Sequence, residues 1–274
     1  MIKSIATFID DPVGSEVFLK RLAARSRAMN ADLSVTIFTP APMISTALAP
    51  MGGLFLPESD LRADAAQDAQ QVRTLLAGDD ERVTLSSIYG DISWLAHDLR
   101  RNDVIADLIV FGAPSTWRVH WLRRRAIETL LLAGGTPLLL LPDDGELAPI
   151  RRATLGWLPS AEAVRVAHDL VALAEPRATV DVVTVGVDPE RDTGNTAERC
   201  PMADYLAGHG LDTSCHWIEN ERGEDEQLQN FALAAQADVL AVGGFGHSRI
   251  REILLGGVTR SLVDNPRVPV LMSR

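Results

Sequence analysis

Three glycines near the C-terminal end of the chain have a spacing that suits anion binding. Gly243 follows the apolar run 239–242, Gly246 comes after two further residues, and Gly256 after nine more. A glycine-rich turn lets backbone N–H groups approach a phosphate, and the N-terminus of a following helix adds partial positive charge. The pattern predicts a phosphate-binding loop between a buried strand and a short helix.

Motifs for catalysis are absent from the sequence. There is no Gly-x-x-x-x-Gly-Lys-Ser/Thr loop, no Gly-x-Ser-x-Gly turn and no His-Glu-x-x-His helix. Asp10, His247 and Ser248 fall in different halves of the chain and no spacing brings them together, so no triad is indicated. We therefore predict a binding protein and no enzyme.

Composition limits the partners. The 274 residues carry a formal net charge of −11, which disfavours nucleic acid and anionic membrane surfaces. Cys200 and Cys215 have neither CxxC nor Cys/His ligand spacing, so neither a disulfide framework nor a required metal is expected. The first ten residues read as a strand and not as a signal peptide, and no apolar run could cross a bilayer. We expect a cytoplasmic location.

Hydrophobic periodicity predicts alternating strands and helices, which is typical of a parallel sheet covered on both faces. The series of elements occurs twice. The segment 107–110 lies 131 residues before 238–241, and the segment 137–140 lies 132 residues before 269–272. A period of this length indicates a duplicated domain and not a solenoid. The predicted domains are 1–143 and 150–274, joined by a polar, turn-rich segment.

The glycine segment resembles the universal stress protein family. Its nucleotide-binding members carry Gly, two residues, Gly, nine residues, Gly and then Ser or Thr between the fourth and fifth strands. Gly243, Gly246 and Gly256 match this pattern, while Gly257 stands where the family has a hydroxyl. The segments 246–249 and 254–261 also resemble one bacterial branch of the family. The chain thus looks like a tandem universal stress protein.

The resemblance implies an α/β fold with two tandem Rossmann-like domains of the adenine nucleotide alpha hydrolase-like type. Each is expected to have a five-stranded parallel sheet of order 3-2-1-4-5, with helices on both faces. Single-domain relatives pair through the sheet edge near the fifth strand. The two halves are therefore expected to form a pseudo-dimer within one chain, and a homodimer of whole chains is left open.

The resemblance also implies an adenine nucleotide, ATP, as a ligand of the C-terminal half. Leu158 stands where nucleotide-binding relatives have a ribose-binding Asp, and backbone at Val185 would meet the adenine. The remaining candidates would lie at the phosphates: Gly243, Gly246, His247, Ser248, Arg249, Gly256, Gly257, Val258 and Thr259. Thr259 is the candidate for the hydroxyl that Gly257 lacks. The alternative is that the glycines only allow tight packing of strand on helix.

The N-terminal half has lost the glycine loop. Gly112 is followed by Ala113 and Pro114, and proline removes an N–H donor. Asp10 stands at the ribose position, but with Asp11 it is interpreted as a cap of the first helix. We predict that this half does not bind ATP.

Two further segments were singled out for their composition. Arg123–Arg125 is interpreted as a solvated helix face, with an anion or acidic-partner site as the alternative. The uncharged apolar segment 40–57 is expected to pack on the protein, or else to contact another subunit or cover a ligand. The function that these observations favour is binding in a stress response. A nucleotide-free scaffold and a slow ATP hydrolase are the alternatives.

Overall fold

The computed structural model describes residues 2–40, 58–77, 82–90, 105–133, 135–186, 200–220, 223–244 and 257–274. The apolar segment after Pro40 and the glycine loop at 245–256 lie outside the described residues. The chain divides into an N-terminal unit, Lys3–Gly134, and a C-terminal unit, Gly135–Arg274 with Met1–Ile2. The predicted limits 1–143 and 150–274 stay a prediction.

Parallel strands build the sheet of the N-terminal unit. In its described residues they are β1 (Ser4–Ile9), β2 (Asp32–Pro40), β3 (Val83–Gly90) and β4 (Leu108–Phe111). Their order is β3-β2-β1-β4. Every residue of β4 is buried, because helices cover both faces of a parallel sheet.

The helices of this unit are α1 (Glu16–Ala28), α2 (Glu58–Leu75) and α3 (His120–Ala133), with a 3₁₀ turn at Pro114–Thr116. α1 buries Phe18, Leu19 and Leu22, which recur at helical intervals, while Lys20, Arg21 and Arg27 are exposed. Each helix therefore lies on the sheet with one apolar stripe.

The C-terminal unit begins with β5 (Leu138–Leu140), followed by β6 (Ile150–Gly156), β7 (Ala174–Val185), β8 (Asp212–Ile218), β9 (Val239–Gly243) and β10 (Val270–Ser273). β6 to β10 are parallel in the order β10-β9-β6-β7-β8. Read from β8, this is the predicted order 3-2-1-4-5, and the predicted α/β fold class is confirmed. β5 runs antiparallel to β10. The predicted pseudo-dimer of the two halves stays a prediction.

Four helices belong to the described part of this unit: α4 (Ala161–Leu173), α5 (Pro201–Gly208), α6 (Glu224–Ala234) and α7 (Gly257–Asp264). The side chain of Ser160 caps α4 by accepting a hydrogen bond from the N–H of Ala163 at 3.1 Å. α4 buries Ala163, Val166 and Leu170 on the sheet. A polar N-cap and an apolar stripe thus fix where α4 starts and which way it faces.

The start of β7 differs from the sequence prediction. The strand begins at Ala174, directly after α4, whereas the apolar run predicts a start at Val180. The register between β6 and β7 shifts between Ile150 and Arg152, and Arg177 has a left-handed φ of 62°. An irregular strand of this kind has no period-two pattern, so the hydrophobic signal misses its first half.

None of the helices in the described ranges is both long and apolar enough to cross a lipid bilayer.

Candidate functional site

The carboxyl ends of β6 and β9 form the predicted binding position of the C-terminal unit. After β6 the chain continues to β7 on one side, while β9 lies on the other side of β6. Loops diverge at such a reversal of strand order, and they leave a crevice in which α/β proteins bind ligands. Leu158 follows β6 and Gly243 ends β9, so two predicted site residues flank this crevice.

Strand registers show which residues of the two units are equivalent. Thr7 of β1 lies opposite Val110 of β4, and Leu155 of β6 lies opposite Ala241 of β9. Three residues beyond Thr7 and Leu155 are Asp10 and Leu158. Two residues beyond the partners are Gly112 and Gly243. The registers therefore support the sequence alignment of Leu158 with the aspartate of the other half.

Gly243 is needed for close packing. A Cβ built at this position would lie 2.7 Å from the backbone N of Ala163 and 2.8 Å from the carbonyl carbon of Glu162. The end of β9 thus rests directly on the first turn of α4, and the next residue, Gly244, donates its N–H to the carbonyl of Ser273 at 2.8 Å. Packing alone is a sufficient reason for glycine here.

Gly257 has a different environment, because it is the exposed first residue of α7 and a Cβ built there would meet no atom within 4 Å. The first N–H groups of a helix lack partners within it, so they are free to face an anion. Val258 is half-buried and Thr259 is buried together with Leu262 and Val263. Thr259 therefore packs inward with the apolar stripe of α7.

The nucleoside end of the predicted site offers few hydrogen-bonding groups to a ligand. Leu158 is 46% exposed and offers no hydrogen-bond acceptor in its side chain. Val185 is half-buried at the end of β7, and the N–H of the next residue, Gly186, already bonds the carbonyl of Ile218 at 2.9 Å. That amide is consequently not available to a base. The other predicted residues, Gly246, His247, Ser248, Arg249 and Gly256, lie outside the described residues.

In the N-terminal unit a side chain of the protein fills the equivalent place. Asp10 is buried, with 1% of its surface exposed, and its carboxylate accepts the N–H of Arg118 at 2.9 Å and of Val119 at 2.8 Å. These amides immediately precede His120, the first residue of α3. The carboxylate is thus an internal anion at the start of the helix that follows β4.

The interpretation of Asp10 as a cap of α1 is wrong. The residue that precedes α1 is Ser15, while Asp11 accepts the N–H of Val13 at 3.1 Å and so holds the turn before the helix. The amides that bond Asp10 come from residues more than 100 positions away along the chain. No local pattern could indicate them.

Burial raises the pKa of Asp10 above its usual value, because removal of water disfavours the charged carboxylate. The two amide hydrogen bonds from Arg118 and Val119 act in the opposite direction but offset this effect only in part.

Aromatic packing also holds the loop between β4 and α3. Trp117, which is 3% exposed, lies against Phe38 and Phe111 with ring centroids 6.2 and 6.0 Å away. Phe8 stacks on the same two phenylalanines at 5.7 Å. The loop before α3 is therefore fixed both by an apolar cluster and by the Asp10 carboxylate.

The interpretation of Arg123 as part of a solvated face is also wrong. Arg123 is 2% exposed, and its Nε donates to the carbonyl of Gly112 at 3.0 Å. Arg124 is half-buried and Arg125 is exposed, as a helix with one face on the sheet requires. The three arginines are consecutive in the sequence, but they do not form one exposed surface.

A polar cluster that the sequence did not reveal lies on β6, β7 and β8. Asp181, 4% exposed, accepts hydrogen bonds from Ser214 Oγ at 2.6 Å and Arg152 at 3.3 Å, and lies 2.9 Å from His216 Nε2. Burial raises the pKa of Asp181, but these hydrogen bonds and the charge of Arg152 outweigh burial and lower it overall. In the sequence, the only indication of this cluster is that Ser214 and His216 are two positions apart on a strand and therefore lie on the same face.

This cluster is not a catalytic triad. One imidazole nitrogen, His216 Nε2, faces both Asp181 and Ser214 Oγ, the latter at 3.2 Å. In a triad the histidine uses one nitrogen for each partner, which lets it pass a proton between them. Within the described ranges no group of three or more His, Cys, Asp or Glu side chains is arranged to hold a metal ion.

No protein-family model matches the chain, and no curated protein matches it. Solved structures do. A universal stress protein from Archaeoglobus fulgidus DSM 4304 has a TM-score of 0.61 at 14% identity, covering 98% of this chain and 96% of its own. A protein proposed to be a universal stress protein, from Pseudomonas aeruginosa UCBPP-PA14, has a TM-score of 0.56 at 16% identity, with 99% and 93% covered.

A functionally unknown protein from Pseudomonas aeruginosa PAO1 is similar as well, with a TM-score of 0.54 at 16% identity over 99% of this chain and 92% of its own. At such low identity these similarities establish the fold: the chain has the α/β architecture of solved universal stress proteins.

Proposed function

We propose that the chain is a cytoplasmic tandem universal stress protein that acts in the stress response by binding, and that its C-terminal half binds an adenine nucleotide, ATP in the first place. We propose no catalytic step, because the sequence carries none of the catalytic motifs considered above. Similarity of fold to universal stress proteins supports the class.

The observation that carries the proposal is the difference between the start of α3, the helix after β4, and the start of α7, the helix after β9. At the start of α3 the amides of Arg118 and Val119 are bonded by Asp10. At the equivalent of Asp10 the C-terminal unit has Leu158, which supplies no carboxylate, and Gly257 at the start of α7 is exposed. A helix N-terminus that none of the described carboxylates bonds favours an external anion, such as a phosphate.

A nucleotide-free scaffold is the second candidate. It is favoured by the absence of a carboxylate at Leu158, by the bonded N–H of Gly186 and by the packing role of Gly243. In that case the glycines serve only the close contact of β9 with α4.

Thermal unfolding of the whole chain with ATP, ADP and AMP separates the two candidates. A ligand that binds only the folded state at about one hundred times its Kd adds roughly 2.7 kcal/mol of stability. We expect millimolar ATP to raise the Tm by several degrees, with smaller rises for ADP and AMP because they offer fewer phosphate oxygens. If none of the three nucleotides raises the Tm, nucleotide binding is excluded and the nucleotide-free scaffold is the remaining candidate.

A charge substitution locates the site. Gly257→Asp adds a carboxylate of the protein at the start of α7, where space is open, and an acidic residue in the first turn favours the helix itself by roughly 0.3–1 kcal/mol. We expect this variant to fold normally and to lose the ATP-dependent rise in Tm. Gly257→Asn, which has the same size without the charge, should keep most of it. An unchanged rise in the Gly257→Asp variant would exclude α7 from the site.

A further inference from the structure

We propose that Cys200 and Cys215 form a redox pair in which a hydroperoxide oxidises the two thiols to an intramolecular disulfide that links α5 to β8. The proposal is independent of nucleotide binding. It concerns two residues that the sequence leaves 15 positions apart and without a recognised spacing.

The fold brings the two cysteines together. Cys200 is the residue that precedes α5, and Cys215 lies in the middle of β8, opposite Val182 of β7. α5 packs on β8, and Thr213 Oγ1 donates to the carbonyl of Ala203 at 3.2 Å. Thr213 and Cys215 are two positions apart on a strand, so both side chains face α5. The Cys200 thiol is close enough to Cys215 to contribute to the raised pKa of that residue.

Both cysteines are partly exposed. Each cysteine is half-buried and neither is bonded to another cysteine in this structure. A small oxidant can therefore reach the pair, while a bulky partner thiol is at a disadvantage. Oxidation susceptibility follows exposure and thiolate character, and a nearby second cysteine converts the first oxidation product into a disulfide.

The environment decides which thiol reacts first. Burial, together with the neighbouring Cys200 thiol and the charge of Asp204, raises the pKa of Cys215 to about 12. Cys215 is therefore protonated near neutral pH while Cys200 is reduced, and a protonated thiol is a poor nucleophile. We assign the first attack to Cys200. Its oxidation removes the charge of the Cys200 thiolate, which is one cause of the raised pKa of Cys215, so Cys215 can then take the resolving step.

The chemistry is balanced in two steps. The Cys200 sulfur attacks one oxygen of hydrogen peroxide, the O–O bond breaks, and a sulfenic acid forms while the thiol proton leaves with the second oxygen as water. The Cys215 sulfur then attacks the Cys200 sulfur, the S–S bond forms, and the S–O bond breaks. The hydroxyl leaves with the Cys215 proton as a second water. Two thiols are oxidised and one peroxide is reduced.

The test treats the purified, folded whole chain with stoichiometric hydrogen peroxide and follows free thiols, intact mass and digested peptides. We expect loss of both thiols, a mass lower by two hydrogen atoms, a peptide containing Cys200 joined to Cys215, and full reversal by dithiothreitol. The Tm of the oxidised chain should be about 5 °C higher than that of the reduced chain, because the bond reduces the conformational freedom of the unfolded chain.

Matched serine variants test the order of attack. In Cys215→Ser the sulfenic acid on Cys200 should persist and be trapped by dimedone, whereas Cys200→Ser should consume peroxide at least about tenfold more slowly than the native chain. Disulfide-linked dimers, or a sulfinic acid in the native chain in place of the internal bond, would overturn the pair. Faster trapping at Cys215 than at Cys200 would overturn the assigned order.

Discussion

The strands β3-β2-β1-β4 of the N-terminal unit have the same order as β8-β7-β6-β9 of the C-terminal unit, and the units differ at the turn after β1 and β6. In the N-terminal unit this turn begins with Asp10, whose carboxylate bonds the amides of Arg118 and Val119 before α3. In the C-terminal unit the equivalent residue is Leu158, which is 46% exposed. Leu158 supplies no carboxylate, so among the residues that the structure describes the C-terminal crevice lacks the internal anion that Asp10 provides in the N-terminal unit.

The glycines at the ends of β4 and β9 show a second difference. A Cβ at Gly112 would lie 2.7 Å from Thr116 Oγ1 and 3.1 Å from Phe18, whereas at Gly243 the nearest atoms are backbone atoms of α4. The carbonyl of Gly112 also accepts a hydrogen bond from Nε of the buried Arg123. The loop after β4 is therefore held by side chains, while β9 is held by a direct contact between strand and helix.

The largest expected effect comes from removal of the internal anion. Asp10→Ala leaves two amide N–H groups without their acceptor, and each such loss costs on the order of 1–3 kcal/mol. We expect the free energy of unfolding, measured by urea denaturation, to fall by about 2–4 kcal/mol. Leu158→Ala should change it by less than about 1 kcal/mol, because the side chain is nearly half exposed. Equal losses for the two variants would contradict the comparison.

A smaller effect is expected when a methyl group is added at the two described glycines of the C-terminal site. Gly243→Ala forces a Cβ against the backbone of α4, which should lower the free energy of unfolding by about 1–3 kcal/mol. Gly257→Ala meets open space and reduces the freedom of the unfolded chain, so stability should stay level or rise by up to about 1 kcal/mol. Thermal melts of both variants without ligand check this. If Gly243→Ala is as stable as the native chain, Gly243 is not required for packing.

The smallest effect is the dependence on pH, where buried aspartates of the two units should behave oppositely. The pKa of Asp181 is lowered in the folded state, so its contribution is present above the unfolded value of 3.8 and is lost as the pH falls through the folded pKa. The pKa of Asp10 is raised, so its contribution is present below 3.8 and is lost as the pH rises through the folded pKa.

Urea midpoints between pH 3 and 7 for Asp181→Asn, Asp10→Asn and the native chain measure this difference. The gap between the native chain and Asp181→Asn should shrink toward acid by about 1 kcal/mol or less, since Arg152 and His216 are partly exposed. The gap for Asp10→Asn should change in the opposite direction. Parallel changes in both variants would refute the assigned directions.

Local patterns were sufficient for the elements and their repetition. The run Leu108–Phe111 is buried throughout and reads as a central strand, and α4 starts at the capping serine that the turn before it supplies. Strand order followed from the crossover rule and the resemblance, and β8-β7-β6-β9-β10 agrees with it. Burial along a strand or helix is periodic in sequence, and for this reason it can be read from a sequence.

The sequence by itself determined the α/β class, the repeated order of elements and the candidate glycines. Only the tertiary structure decided that Asp10 bonds amides 108 and 109 positions away, that Arg123 is buried, and that Asp181 faces His216. These contacts depend on strand register and on the path of loops, which bring together residues that are distant along the chain. A local pattern indicates which face of a strand or helix a residue lies on, but it does not indicate which distant residue contacts it there.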